Sequence, residues 1–169
     1  MGSGSSYSYS GTSGGSQPYA ETYGVVPEAL NKDKKDPDIY DKAEGYFKNP
    51  TAVSLASAID GNRVTFNNLS AHGKYTYVMD KNGNIIFGKR CNPNDISKRS
   101  PHPTLIGGKN PQVQCAGIIA MSKGKITNID NMSGHFKPHH RSLNKVYDAL
   151  HKLHESNPNI FSTRFQWRE

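Results

Sequence analysis

The sequence has no apolar run approaching the ~18 residues that a membrane span needs, and no basic segment followed by a short apolar one near its start. Those two absences predict a cytoplasmic protein with no signal peptide and no membrane partner. Apolar residues are sparse, at 34% of 169, which leaves material for one modest core. Cysteine is rarer still: Cys91 and Cys115 stand alone, without CxxC or CxxH spacing, which argues against a zinc finger and against a disulfide framework. Cys115, inside the apolar run VQCAGIIAM, is expected to be a core thiol. HExxH, HxH and paired-acid spacings are all missing. Gly107-Gly108-Lys109 lacks the leading glycine spacing, the following Ser or Thr and the strand-to-helix setting of a phosphate-binding P-loop.

Acidic residues are the scarcer charge, 14 against 21 Lys and Arg, for a net charge of +7. The imbalance is local. Residues 1–50 hold five Lys and Arg against seven Asp and Glu, whereas 51–169 hold sixteen against seven. Residues 81–110 alone carry six basic side chains and one acid. A field of that sign favours polyanions.

Composition divides the chain into a tail and a domain. Residues 1–18 are a Ser/Gly/Tyr tract that cannot bury enough apolar area to offset its ordering entropy, so disorder is expected there. Residues 19–169 read as a single α+β domain, with 19–50 an arm that packs on it. Pro27 opens a short helix with Ala29 and Leu30 on its apolar face. TAVSLASAID predicts a second helix over 51–60, stopped by Gly61. Val64 to Phe66 reads as a short strand. KYTYVM and IIFGK flank Asn82-Gly83, a strong hairpin signal, and 113–121 with 125–130 form a second hairpin around Ser122-Lys123-Gly124. Between the hairpins, 90–111 has four prolines, two glycines and no periodicity, so a long functional loop is expected. Leu143, Val146, Tyr147, Leu150, Leu153 and His154 make a helical stripe from about residue 141 to Pro158. IFSTRFQW alternates and predicts a final strand. The expected fold is a mainly antiparallel sheet, from two hairpins and a C-terminal strand, packed with two or three helices.

The chemically useful residues fall between Asn84 and Pro138. Cleavage beside a ribose needs a base for the 2′-hydroxyl proton, an acid for the leaving 5′-oxygen and cations for the crowded phosphorane. Imidazole titrates in the right range. His102 in the central loop and His135 after the second hairpin are the candidates for proton transfer, with Asp95 the loop's carboxylate. Arg90 and Lys109 flank the loop, and Lys89, Lys98, Arg99 and Lys137 are candidate nucleic-acid contacts. Tyr77 shares a strand face with Tyr75 and is a candidate to present its hydroxyl to a phosphate. Asp95 and His102 are the pair that would hold a cation. Against each stands a structural role: a loop-stabilising His102, a turn His135, a solvated Lys98-Arg99, and a packed His154 on the helix stripe.

The pattern SPHPTLIGG…VQCAGIIAMSKGKITNIDNMSGHFKP resembles a module of bacterial toxin-like C-terminal domains and of plant calmodulin-binding proteins of the IQ-motif type. In that module a His-Ser-Ser-Phe-type segment precedes Ala-Gly-Glu and Ser-Gly-His-Tyr-x-Pro. This chain departs from it at Ile118, where many members carry an acid, and at Phe136, in place of Tyr. The segments YAETYGVVPEAL, DIYDKAEGYFKNPTAVSLA and KRSPHPTLIGGKNPQVQCAG resemble the mushroom ribotoxin-like family of the ageritin type, over about residues 19–138. That resemblance implies an endoribonuclease that cuts one phosphodiester in the sarcin–ricin loop of large-subunit rRNA, a toxin that stops translation in defence. It implies a divalent cation, Mg or Zn, the ribosome as partner, a monomer, and an active site drawn from Tyr77, Arg90, Asp95, His102, Lys109 and His135.

Two rivals read the same residues differently. An ADP-ribosyltransferase-like toxin would hold NAD through Arg90 and the Thr104 region, but it needs a glutamate that the late strands do not offer. A calmodulin or acidic-partner module would use the basic helix 141–155, which also carries Asp148 and Glu155.

Overall fold

The hairpin signals find their places first. In a computed structural model that describes residues 16–48, 52–89 and 101–167, the run around Asn82-Gly83 becomes β7 (Gly73–Met79) and β8 (Ile85–Lys89), with Met79 opposite Ile85. Asp80 ties the turn: its Oδ1 accepts from the backbone N–H of Asn82 (2.9 Å) and Asn84 (2.8 Å). The second hairpin is β9 (Cys115–Ser122) and β10 (Lys125–Ile129), with Ser122 opposite Lys125. Its two turn residues, Lys123 and Gly124, both have positive φ, the twist that a two-residue hairpin turn requires. β7 also pairs antiparallel with β9, so the two hairpins join in one sheet.

The edge of that sheet corrects one expectation. Of the helix expected over 51–60, the described residues 52–60 form none: β3 (Val53–Ser54) pairs with β8, a 3₁₀ turn covers Ala56–Ala58, and β4 (Ile59–Asp60) follows. The Leu55 N–H is taken by Ile85 O at 2.8 Å. Helix propensity yields here to pairing with an open strand edge. The sheet order is β10-β9-β7-β8-β3, and β4, β5 (Arg63–Phe66) and β6 (Leu69–Ser70) form a separate meander. In the arm, α1 (Pro27–Asp33) starts at Pro27 as expected, and β1 (Tyr40–Asp41) pairs with β2 (Tyr46–Phe47).

Alternation along β7 sends its side chains to two cores. Tyr75, Tyr77 and Met79 join Cys115, Ile119 and Met121 beneath α3 (Leu143–Ser156), whose Leu143, Val146, Tyr147 and Leu150 are buried. That helix stripe is therefore spent on the sheet. Val78 and Ala116 face the other way, packing with Tyr23, Leu105, Val113 and Phe136. The second core is roofed by the arm and by α2 (His102–Ile106). This short helix lies inside the segment expected to be a structureless loop. Pro103 sits in its first turn, the Thr104 hydroxyl donates to Pro101 O at 2.7 Å, and Gly107 ends it at φ 73°.

The C-terminus carries the other correction. Instead of a strand over 160–167, a 3₁₀ turn covers Pro158–Ile160 and Phe161 makes a single parallel bridge to Ile126. The alternating aromatics cluster rather than pair: Phe161, Phe165 and Trp167 meet one another and His154 at ring separations of 4.6–5.4 Å. The fold class stands as α+β with antiparallel sheets. Among the described residues, no helix is long and apolar enough to cross a membrane.

Candidate active site

Three segments far apart in sequence meet on the second face of the sheet. The first is the turn that follows β10. Ser133 is buried there, its Oγ accepts from Phe136 N–H (3.2 Å) and its carbonyl from Lys137 N–H (2.8 Å). Phe136 is fully buried in the second core. Anchoring Phe136 inward leaves the neighbouring His135 partly exposed, at 22% of its side chain.

The arm is the second segment. Val26 N–H donates to His135 O at 2.8 Å, and Gln17 Nε2 donates to Phe136 O at 2.6 Å. These bonds bring α1 against the turn. Asp33, the last residue of α1 and the buried one on it, places its Oδ2 2.7 Å from His135 Nε2. The Asp33 side chain is 8% exposed, and its Oδ2 meets His135 Nε2 at ion-pair distance, off the line of a ring N–H hydrogen bond. A carboxylate only accepts, so the facing Nε2 carries a proton and Nδ1 is left as the basic nitrogen of the neutral ring.

The third segment is α2. His102, at 6% exposure, places Nε2 2.6 Å from Gly117 O. A carbonyl cannot donate, so Nε2 is again the protonated nitrogen. Gly117 is required by close approach: a Cβ there would stand 2.0 Å from Asp130 O. Asp130 holds that crossing, its Oδ1 accepting from Ile118 N–H (2.8 Å) and Met132 N–H (2.9 Å). The Ala-Gly step and the Ser-Gly-His-Phe turn are thus two halves of one arrangement. It sets the His102 and His135 rings 6.5 Å apart, tilted by 57°.

His135 opens onto a cavity of about 660 Å³, lined also by Glu28, Lys32, Asp33, Lys35, Asp36 and Lys137. Both signs of charge are present. Lys137, expected at a nucleic-acid contact, is instead buried beside Glu28, Nζ to Oε1 3.0 Å.

Other candidates fall elsewhere. Tyr77 lies on the α3 side of the sheet, fully buried, its hydroxyl donating to Asp130 O at 2.6 Å with Cys115 Sγ at 3.7 Å. It is not brought to the histidines. Burial, reinforced by Cys115, pushes its pKa well up, and burial raises the Cys115 thiol to about 12. Lys109 is exposed in the loop after Gly108, and Lys89 ends β8 opposite Tyr75. Arg90, Cys91, Asp95, Lys98 and Arg99 lie outside the described residues. The Asp95–His102 pair expected for a cation thus has its carboxylate outside them as well. Among the described residues no group of three or more His, Cys, Asp or Glu is arranged to hold a metal ion. Thr104, the expected NAD contact, is fully buried with its hydroxyl on Pro101 O.

Asp33 is the residue that sequence reasoning missed. One signal was available: it follows Ala29 by four residues and Leu30 by three, an acid on the apolar side of a short helix. Compared with known protein families, with characterised proteins and with solved structures, the chain matches none.

Proposed function

We propose that this protein is a ribonuclease that cleaves RNA by transfer of the phosphodiester to its own 2′-oxygen. The observation that carries the reading is the His135–Asp33 pair in the wall of a cavity of about 660 Å³, with the His102 ring 6.5 Å from that of His135. Two imidazoles at that separation suit the two proton transfers of the reaction. His135, held through Nε2 by Asp33, takes the 2′-hydroxyl proton on Nδ1 as the 2′-oxygen attacks phosphorus. The P–O5′ bond breaks, and His102, entering the step as an imidazolium, gives up one proton to the leaving 5′-oxygen and becomes neutral. Lys32 and Lys35 on the cavity wall contribute positive charge near the developing phosphorane. Unpaired RNA is the fitting substrate, because its 2′-hydroxyl and phosphate can swing into line. The sarcin–ricin loop of large-subunit rRNA as target, and the role of translation-stopping toxin, come from the family resemblance alone.

Incubation of the full chain with intact ribosomes, with and without chelator, tests the reading. A single small 3′-terminal rRNA fragment is expected, absent with His135→Ala. Intact rRNA at enzyme excess, in both arms, removes the proposal. The divalent cation that the resemblance implies predicts a fragment only without chelator; proton transfer by the histidines alone predicts it in both.

A further inference from the structure

Beyond the histidine–aspartate pair lies a second polar cluster, around Tyr19. This is one of two large hydrophobic side chains that stay exposed among the described residues, at 42%. The Arg141 guanidinium carbon lies 4.6 Å from its ring centroid and Lys145 Nζ 5.4 Å. His139 meets the ring edge at 6.0 Å, and His140 lies against His139 at 4.4 Å.

The place of Tyr19 is built rather than incidental. Gln17 N–H donates to Lys137 O at 2.7 Å, running the arm beside residues 135–139. One residue on, Ala20 N–H donates to the Tyr23 hydroxyl (3.1 Å), which is itself 2.7 Å from Ser142 Oγ. Neither Arg141 nor Lys145 has an acidic side-chain partner among the described residues; Lys145 donates to the Glu21 carbonyl. Burial, then the charges of His140 and Arg141, hold His139 below its ordinary pKa, so the positive charge here belongs to Arg141 and Lys145.

Unpaired cations held against an exposed flat ring suit a flexible polyanion that also carries flat groups. An acidic peptide would satisfy the cations and leave the ring without a counterpart. A membrane surface would need more exposed apolar side chains than Tyr19 alone. We propose that Tyr19, Arg141 and Lys145, edged by His139, form a binding surface for single-stranded RNA. His139 is four residues from His135, at most ~14 Å along the chain, so one strand can occupy both places. That the strand is RNA rather than DNA rests on the ribonuclease reading; that it is a single-stranded nucleic acid rests on this surface.

The test is fluorescence anisotropy with a labelled, uncleavable 2′-O-methyl oligonucleotide over a salt series, using the full chain. The double variant Arg141→Gln/Lys145→Gln is expected to weaken binding at least tenfold at low salt. It should also reduce the slope of log affinity against log salt by about 1.4, since each phosphate contact on a single strand contributes about 0.7. Tyr19→Ala should cost about fivefold or more, within the range for loss of a stacked base, and Tyr19→Phe should bind like the parent. Unchanged affinity in the double variant overturns the surface, as does displacement of the oligonucleotide by poly-glutamate as readily as by unlabelled RNA. A chain that binds in this way yet leaves rRNA uncut keeps the surface and removes the ribonuclease reading. A chain that cuts, with the double variant binding and cutting like the parent, removes the surface alone.

Discussion

The two faces of the central sheet are built from different materials. The face under α3 is mainly apolar, and the Tyr77 hydroxyl within it is enclosed and paired with Asp130 O, the Cys115 thiol beside it. The opposite face is closed by three segments, 16–37, 101–106 and 133–137, and that is where His102, His135 and Asp33 collect. The first face is a local product of helix and strand periodicity. The second depends on long-range meetings, and it carries the His135–Asp33 pair and a cavity of about 660 Å³. Stability and chemistry are therefore expected to respond to different substitutions.

The largest contrast should come from His135→Ala. RNA cleavage is expected to fall by about 10²–10⁴-fold, the usual worth of a positioned proton-transfer group, while the thermal midpoint moves little. On the other face, Leu150→Ala removes a fully buried side chain and should cost about 2–5 kcal/mol by denaturant titration, with activity per folded molecule unchanged. If Leu150→Ala instead lowered specific activity tenfold, the two faces would not be separable.

Gly117→Ala strikes the strand crossing that both faces share. A methyl 2.0 Å from Asp130 O cannot be accommodated without moving backbone. About 1–3 kcal/mol of destabilisation is expected, together with loss of cleavage, because Gly117 O is the acceptor for His102. Asp33→Asn should leave the fold intact and cost about a hundredfold or more in rate, since an amide can favour the wrong imidazole tautomer. His102→Gln keeps a donor near Gly117 O but cannot titrate. It separates a proton-transfer role, with cleavage lost, from a packing role, with cleavage kept.

A pH dependence is expected from the α3 face. The Cys115 thiol is raised by burial from 9.0 to about 12, and Tyr77 is raised in the same direction. The folded state thus holds these protons after the unfolded chain has released them, so their stabilisation is full below pH 9.0 and lost as pH rises toward 12. Thermal midpoints should fall across that window, and Cys115→Ala should flatten the fall. A midpoint that rises with pH there would contradict the assignment.

Local patterns were readable where they had no competitor. Asn82-Gly83, Lys123-Gly124, the start at Pro27 and the Leu143–Leu150 stripe each produced the expected element. The segment 51–60 did not, because the open edge of β8 offered Val53 and Ser54 backbone partners that a helix would forgo. IFSTRFQW alternated as a strand would, but its rings found α3 and one another instead of a ladder. Residue type and setting singled out His102 and His135, and the fold brings their rings to 6.5 Å. Asp33 was not singled out, because its importance exists only once α1 is laid against the turn at His135. The misplacement of Tyr77 has a similar origin: alternation showed that it shares a face with Tyr75, but not which face the histidines would occupy.

The ends of the cleaved RNA test the central claim most directly. Transfer to the 2′-oxygen by His135 and His102 predicts a 2′,3′-cyclic phosphate on one fragment and a 5′-hydroxyl on the other, with both lost in His135→Ala. A 3′-hydroxyl and a 5′-phosphate, or either pair of ends undiminished in that variant, would contradict it.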